Sequence, residues 1–187
     1  MNPRERIIET ARALFHERGF DATSVNDLIA AAATHKASFY RYFTHKDEVA
    51  IEYLRRERDA FAAGLQALMQ RSESPEAFIR TWSALLIRQV KAEKFHGCRV
   101  SRLVQTLADA DKQLRREASG VVDAWIKLIA EFLALHKQQG RFRGDPERTA
   151  EKILRLFQGT AAMYRIHGRK EVFELLRNDF LKEVSVP

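Results

Sequence analysis

The sequence predicts an all-α protein of about nine helices. Apolar residues recur every three to four positions rather than every two, the spacing of one helix face. Proline and glycine are scarce, four and eight in 187 residues, and several of the breaks carry helix-capping residues. A composition of 45% apolar and 30% charged residues fits a soluble globular chain, and no apolar run approaches the roughly 20 residues of a membrane span. The opening "MNPRERIIETARALF" interleaves charges with apolar residues, unlike a signal peptide, so a cytoplasmic location and no membrane partner are expected. The lone cysteine, Cys98, has no partner in the chain for a disulfide.

The first helix starts at Pro3, carries Ile7, Ala11, Leu14 and Phe15, and ends at Gly19. Ser24 caps a short second helix with Val25, Leu28, Ile29 and Ala32 on one face. Two residues on, a third short helix spans about 35–43, anchored by Phe39 and Phe43 at i, i+4. Thr44 to Asp47 has capping-box form and begins a long fourth helix through Gln70. Ser74 and Pro75 open a fifth, with Trp82, Leu85, Leu86 and Val90, and Gly97 separates it from a sixth. A long seventh helix runs from Asp111 to about Gln138, and "GRFRGDPE" breaks it before Asp145 caps and Pro146 starts the eighth. Gly168 divides the eighth from a ninth, about 170–183.

Net charge of +7 invites a nucleic-acid reading, but the charge has to be located first. Residues 1–47 hold seven Lys/Arg against six Asp/Glu, so the N-terminal part is nearly neutral. The charge there is focused: between Ala22 and Lys46 the sole acid is Asp27, while Lys36, Arg41 and Lys46 are basic. Two short helices joined by a few residues, the second rich in polar side chains, form a helix-turn-helix, whose second helix enters the major groove of double-stranded DNA. Lys36, Ala37, Ser38 and Arg41 project opposite Phe39 and Phe43; serine and arginine hydrogen-bond base edges, and alanine fits a thymine methyl. Tyr40 and Tyr42 offer hydroxyls to phosphate oxygens.

The stretch "IIETARALFHERGFDATSVNDLIAAAATHKASFYRYFTHKDEVAIEYL" resembles the N-terminal DNA-binding region of the TetR family of bacterial one-component transcriptional regulators. The likeness lies in "ERGF", "ATSV", Asp-Leu-Ile early in the second helix, and "K-A-S-F-Y-R-Y-F" followed by "H-K-D-E". It implies a three-helix DNA-binding domain, here 1–46, and a helical domain for effector binding and dimerisation, here 47–187. It places Tyr40, Tyr42, Lys46 and Ser24 on phosphates and Lys36, Ala37 and Ser38 near bases, with His35 at the start of the reading helix. Three positions depart from the family pattern: Ala33 stands where glycine is usual, Thr34 where an apolar residue is usual, and His35 where serine is common. Alanine in a turn that calls for positive φ strains it by about 1 kcal/mol.

The resemblance further implies a repressor that binds a palindromic operator as a homodimer and is released by a small-molecule effector. Candidate effector contacts are Trp82, Leu86, Cys98, Arg102, Leu103, Trp125, Ile129 and Phe157, although core packing alone accounts for most such apolar residues. The dimer face is expected on the last two helices, at Leu154, Phe157, Ala161, Ala162, Phe173, Leu176 and Phe180. Cys98 lies two residues from His96 and beside Arg99, which raises an alternative: a repressor that senses oxidants or electrophiles through this thiol. Another is a structural DNA-binding protein without an inducer. An enzyme is not expected, since no phosphate-binding glycine loop, nucleophile motif or metal-ligand spacing occurs, and neither a metal nor a cofactor is called for.

Overall fold

The computed structural model describes residues 1–107 and 112–185. Among them are nine α-helices: α1 Pro3–Glu17, α2 Val25–Ala31, α3 Lys36–Tyr42, α4 Lys46–Met69, α5 Pro75–Lys91, α6 Arg99–Gln105, α7 Lys112–Gln138, α8 Pro146–His167 and α9 Val172–Val184. The expected start of the seventh helix at Asp111 lies outside the described residues.

Local chemistry accounts for most of the boundaries. Side-chain oxygens of Asn2, Ser24, Ser74 and Asp145 accept from the Glu5, Asp27, Ala77 and Arg148 amides at the starts of α1, α2, α5 and α8. Each satisfies an amide that the first helical turn leaves unpaired. The start of α4 differs from the expected Thr44–Asp47 box. Phe43 stays extended at φ −141°, α4 begins at Lys46, and the Thr44 amide donates to the Glu48 carboxylate at 2.7 Å instead of to Asp47.

The chain packs as two compact units. Unit 1 comprises Met1–Asp59 and Arg99–Val122; unit 2 comprises Ala60–Cys98 and Asp123–Pro187, as far as each is described. The packing thus divides differently from a single cut after Lys46. The first half of α4 buries Val49, Ala50, Tyr53 and Leu54, and α6 adds Val100 and Leu103. These apolar residues complete the core begun by α1–α3.

In unit 1, Ile7, Ile8, Ala11 and Phe15 of α1 meet Leu28 of α2 and Phe39 of α3, all essentially inaccessible to solvent. Phe15 touches Phe20 and Tyr53 edge-on or tilted, with ring centroids 5.4 and 5.8 Å apart. Polar ties brace the apolar contacts. The buried Glu57 carboxylate accepts from Arg12 of α1 at 2.8 Å and from Arg99 of α6 at 3.2 Å. Arg56 binds Glu5 at 2.6 Å and Glu9 at 3.1 Å, and its hydrogen bond holds the Glu5 carboxyl below the usual carboxylate range. At the end of α6, Thr106 Oγ1 accepts from the Phe20 amide at 3.0 Å, and Arg102 donates to the Glu17 carbonyl at 3.1 Å.

Unit 2 is centred on a cluster of aromatic rings. Phe61 lies 4.4 Å from Trp125, 6.1 Å from Trp82 and 5.8 Å from Phe157, and Trp82 stacks on Phe180 at 5.3 Å. Helix α9 packs on α5 and α8. Of the residues expected at a dimer face, Leu154, Phe157, Ala161, Phe173, Leu176 and Phe180 are at most 3% exposed within one protomer. Only Ala162 of that set faces outward. The wide apolar face seen in the sequence is spent on the protomer's own core, where it covers α5.

Candidate nucleic-acid interface

The reading unit begins at Ser24. Its hydroxyl accepts from the Asp27 amide at 3.1 Å and donates to the Asp27 carboxylate at 2.6 Å, while the Ser24 amide donates to the same carboxylate at 2.8 Å. This reciprocal capping box holds the Asp27 carboxyl below its ordinary range, mainly through the Ser24 hydroxyl. The Ser24 hydroxyl is exposed but already bonded at the position expected to meet a phosphate.

Helix α3 is held by one deeply buried side chain, Phe39, which contacts Phe43 at 5.8 Å and the Tyr40 ring edge at 5.4 Å. The remaining sides of the helix face outward. Tyr40 is 50% exposed and Tyr42 36%; His35, Lys36, Ala37 and Arg41 are exposed and Ser38 half-buried. His35 precedes the helix with no side-chain cap bond. The structure therefore brings His35, Lys36, Ala37, Ser38, Tyr40, Arg41 and Tyr42 together on one short helix. Its size and polarity suit the major groove.

Lys46 is placed differently. Its ammonium donates to the Phe20 carbonyl at 2.8 Å and sits 4.0 Å from the Phe20 ring centroid, tying the start of α4 to the α1–α2 connection. These contacts make Lys46 first a structural tie. Sequence reasoning passed over two other arginines of this unit. Arg6 bonds the carbonyls of Ala32 and Ala33 in the turn, and Arg4 pairs with Glu52 and lies 5.7 Å over the Phe43 ring. These pairs join residues far apart in the chain, so no local pattern announces them.

The residues expected around an effector fall into separate groups. Trp82, Leu86, Trp125, Ile129 and Phe157 are buried in unit 2 around Phe61. Arg102 and Leu103 are not part of that cluster: both belong to unit 1, where Arg102 binds Glu17 and Leu103 is buried. Cys98 is half-buried and its Sγ accepts from Gln158 Nε2 at 3.2 Å. Unit 2 also has an open crevice of about 1110 Å³ between α7 and α8, lined by Ile126, Ala130 and Ala134 and by charges of both signs, among them Asp123, Lys127, Arg148 and Glu151. Among the described residues no three His, Cys, Asp or Glu side chains gather as metal ligands, and no helix is long and apolar enough to cross a membrane.

Residues 7–53 match the family model of bacterial regulatory proteins of the tetR family, and residues 76–180 match that of the tetracyclin repressor-like C-terminal domain. The chain belongs to the tetR family. It is a DNA-binding transcriptional regulator with an N-terminal helix-turn-helix and a C-terminal helical domain. Among its relatives within the tetR family, the repressor NemR of Escherichia coli K12 is 24% identical over 175 residues, 91% of this chain and 88% of that protein. The repressor DhaR of Mycobacterium sp. strain GP1 is also 24% identical over 175 residues, covering 90% and 85%. The solved E. coli NemR in its reduced form superposes with a TM-score of 0.89 at 22% identity over all of both chains. A TetR regulatory protein of Rhodobacter sphaeroides gives 0.83 at 22% identity, covering 98% and 99%.

Proposed function

We propose that this regulator is a repressor that binds a palindromic operator as a homodimer and leaves it when a small molecule occupies the second domain. The observation that carries the reading is α3: one face pinned by the inaccessible Phe39, the rest offering Lys36, Ala37, Tyr40, Arg41 and Tyr42 outward. A helix so mounted presents base-reading and phosphate-binding groups at low conformational cost. In this reading residues 1–46 carry the DNA contacts, Ser24, His35 and Ser38 included, and 47–187 serve effector and dimer in the cytoplasm.

The dimer face is reassigned to the outward stripe of α8, where Arg155, Gly159, Ala162, Met163 and Ile166 follow one another at helical spacing, with Leu175 on α9. Ile166 and Leu175 are 71% and 62% exposed, large apolar side chains that a lone protomer leaves in water. Gly159 and Ala162 permit close helix approach. Two reading helices related by a two-fold axis then select two half-sites. The effector is placed at the ring cluster of Trp82, Leu86, Trp125, Ile129 and Phe157, and it acts only through different affinity for the two states.

The test is selection of bound duplexes from a random pool, followed by an effector screen on the winning sequence. A palindrome whose complex is dispersed by one compound class is the expected result; broad, length-dependent binding with no release favours a structural DNA-binding protein. A second reading makes Cys98 the sensor. Its sulfur is half-exposed and bonded to Gln158 of α8, so oxidation or alkylation would replace that bond. Unchanged oxidant-dependent release by Cys98→Ser rejects it.

A further inference from the structure

The turn between α2 and α3 decides how the reading helix is presented, because only Ala32 to His35 join the two. The Ala33 amide donates to the Ala30 carbonyl and the Thr34 amide to the Ile29 carbonyl, both at 3.1 Å. This is the Schellman closure of a helix, which places the residue after the cap in the left-handed region. That residue is Ala33, at φ 46°. Its Cβ opposes the conformation that the closure requires.

Arg6, in the first turns of α1, meets this turn from the side. Its Nε donates to the Ala32 carbonyl at 3.0 Å and its Nη2 to the Ala33 carbonyl at 3.4 Å. The two carbonyls belong to successive peptide planes hinged at the Ala33 Cα. One rigid, planar guanidinium reaches both only over a narrow range of Ala33 φ and ψ. Nη1 is itself bonded to the Met1 carbonyl at 3.3 Å, so all three nitrogens of the fork are engaged by backbone. Two residues earlier on α1, Arg4 covers the Phe43 ring at the other end of α3 and pairs with Glu52. One turn of α1 thus grips both ends of the reading helix.

We infer that Arg6 is a positioning residue for operator recognition: it locks Ala33 in the left-handed conformation, setting the angle of α3, and does not itself bind DNA. This rests on α3 being the reading helix. The competing role, a phosphate contact, is the ordinary expectation for an arginine in such a domain, and salt dependence separates the two. Each phosphate contact adds about 0.9 to the slope of log affinity against log salt, whereas a positioning residue adds none.

The experiment uses the full chain and the duplex that the unaltered protein enriches from a random pool. Affinity is measured against sodium chloride for Arg6→Ala, Arg6→Lys, Ala33→Gly and the Arg6→Ala/Ala33→Gly pair, with circular dichroism checking that each is folded at the assay temperature. Arg6→Ala is expected to weaken binding about tenfold, from the loss of charge-assisted bonds, with the slope unchanged. Arg6→Lys recovers only part, since an ammonium does not fork across two carbonyls. In the Ala33→Gly background the loss shrinks to less than about threefold, because glycine takes positive φ freely. A slope lowered by about 0.9, or an equal loss in both backgrounds, overturns the inference. The same variants in urea unfolding give the Arg6–Ala33 coupling without DNA: zero coupling rejects the clamp even if no duplex is enriched, an outcome that would separately reject α3 as the reading helix. Arg6→Gln, uncharged and with a single donor nitrogen, replaces Arg6→Ala should the latter fail to fold.

Discussion

Replacing Gly19 by alanine sets two separable penalties against each other. Gly19 lies at φ +89°, where a residue with a Cβ is disfavoured by about 1–2 kcal/mol. The added Cβ would also stand 2.8 Å from Thr106 Cγ2 and 2.9 Å from Thr106 Cβ. Carbon atoms prefer about 3.5–4.0 Å, so Thr106 has to move. It resists because it is β-branched and its Oγ1 is fixed between the Phe20 amide at 3.0 Å and the Leu103 carbonyl at 2.9 Å. Overpacking of this kind adds about 1–3 kcal/mol, giving a total of roughly 2–5 kcal/mol. Gly168→Ala is the control, since Gly168 has φ +66° but nothing within 4 Å of the added Cβ, and only the backbone term applies. Urea unfolding followed by far-ultraviolet circular dichroism reads both. If Gly19→Ala is no more damaging than Gly168→Ala, the contact between the end of α1 and Thr106 is not a rigid one and the steric argument fails.

Arg41→Ala should weaken operator binding and lower the salt slope by about 0.9 if it meets one phosphate, whereas Tyr40→Phe should weaken binding with the slope intact; titration at several salt concentrations checks both. Leu176→Ala should destabilise the protomer by about 2–5 kcal/mol, as removal of a buried leucine does. Ile166→Glu should instead separate the dimer in sedimentation while leaving the unfolding of the isolated protomer nearly unchanged. His136, on α7, is buried beside the Phe132 ring, and burial together with Arg141 lowers its pKa from 6.5. The unfolded chain therefore binds the proton more readily than the folded one, so stability is full above about pH 6.5 and declines as the pH falls below it. His136→Phe should flatten that part of the stability–pH curve, and an unchanged curve rules out His136 as its source.

Much of the fold was legible because the helix ends are written in local chemistry. Ser24, Ser74 with Pro75, and Asp145 with Pro146 cap helices where their spacing predicts. Phe39 and Phe43, four residues apart, are the buried anchors of the reading helix. Whether an apolar face serves the core or an interface was not legible, and the reason is physical. Periodicity reveals that Leu154, Phe157, Leu176 and Phe180 share apolar faces, but burial in one chain and burial between two chains select the same residue types. Pairings across dozens of residues left no trace either: Arg6 with Ala33, Lys46 with Phe20, and Arg102 with Glu17 each depend on which elements the fold brings together. Arg102 and Leu103, read as effector contacts, turned out to belong to unit 1 because α6 packs with α1.

The discontinuity of unit 1 bears on how such a regulator can be rebuilt. Its core draws on Met1–Asp59 and again on Arg99–Val122, with thirty-nine residues of unit 2 threaded between them. A hybrid spliced at residue 46 onto a foreign sensor would strip Tyr53 from the edge of Phe15, Glu57 from Arg12, and Thr106 from the Phe20 amide. Exchange of specificities by recombination must therefore carry the α6 segment along with the head or supply a matching one, which ties the inheritance of the two parts together.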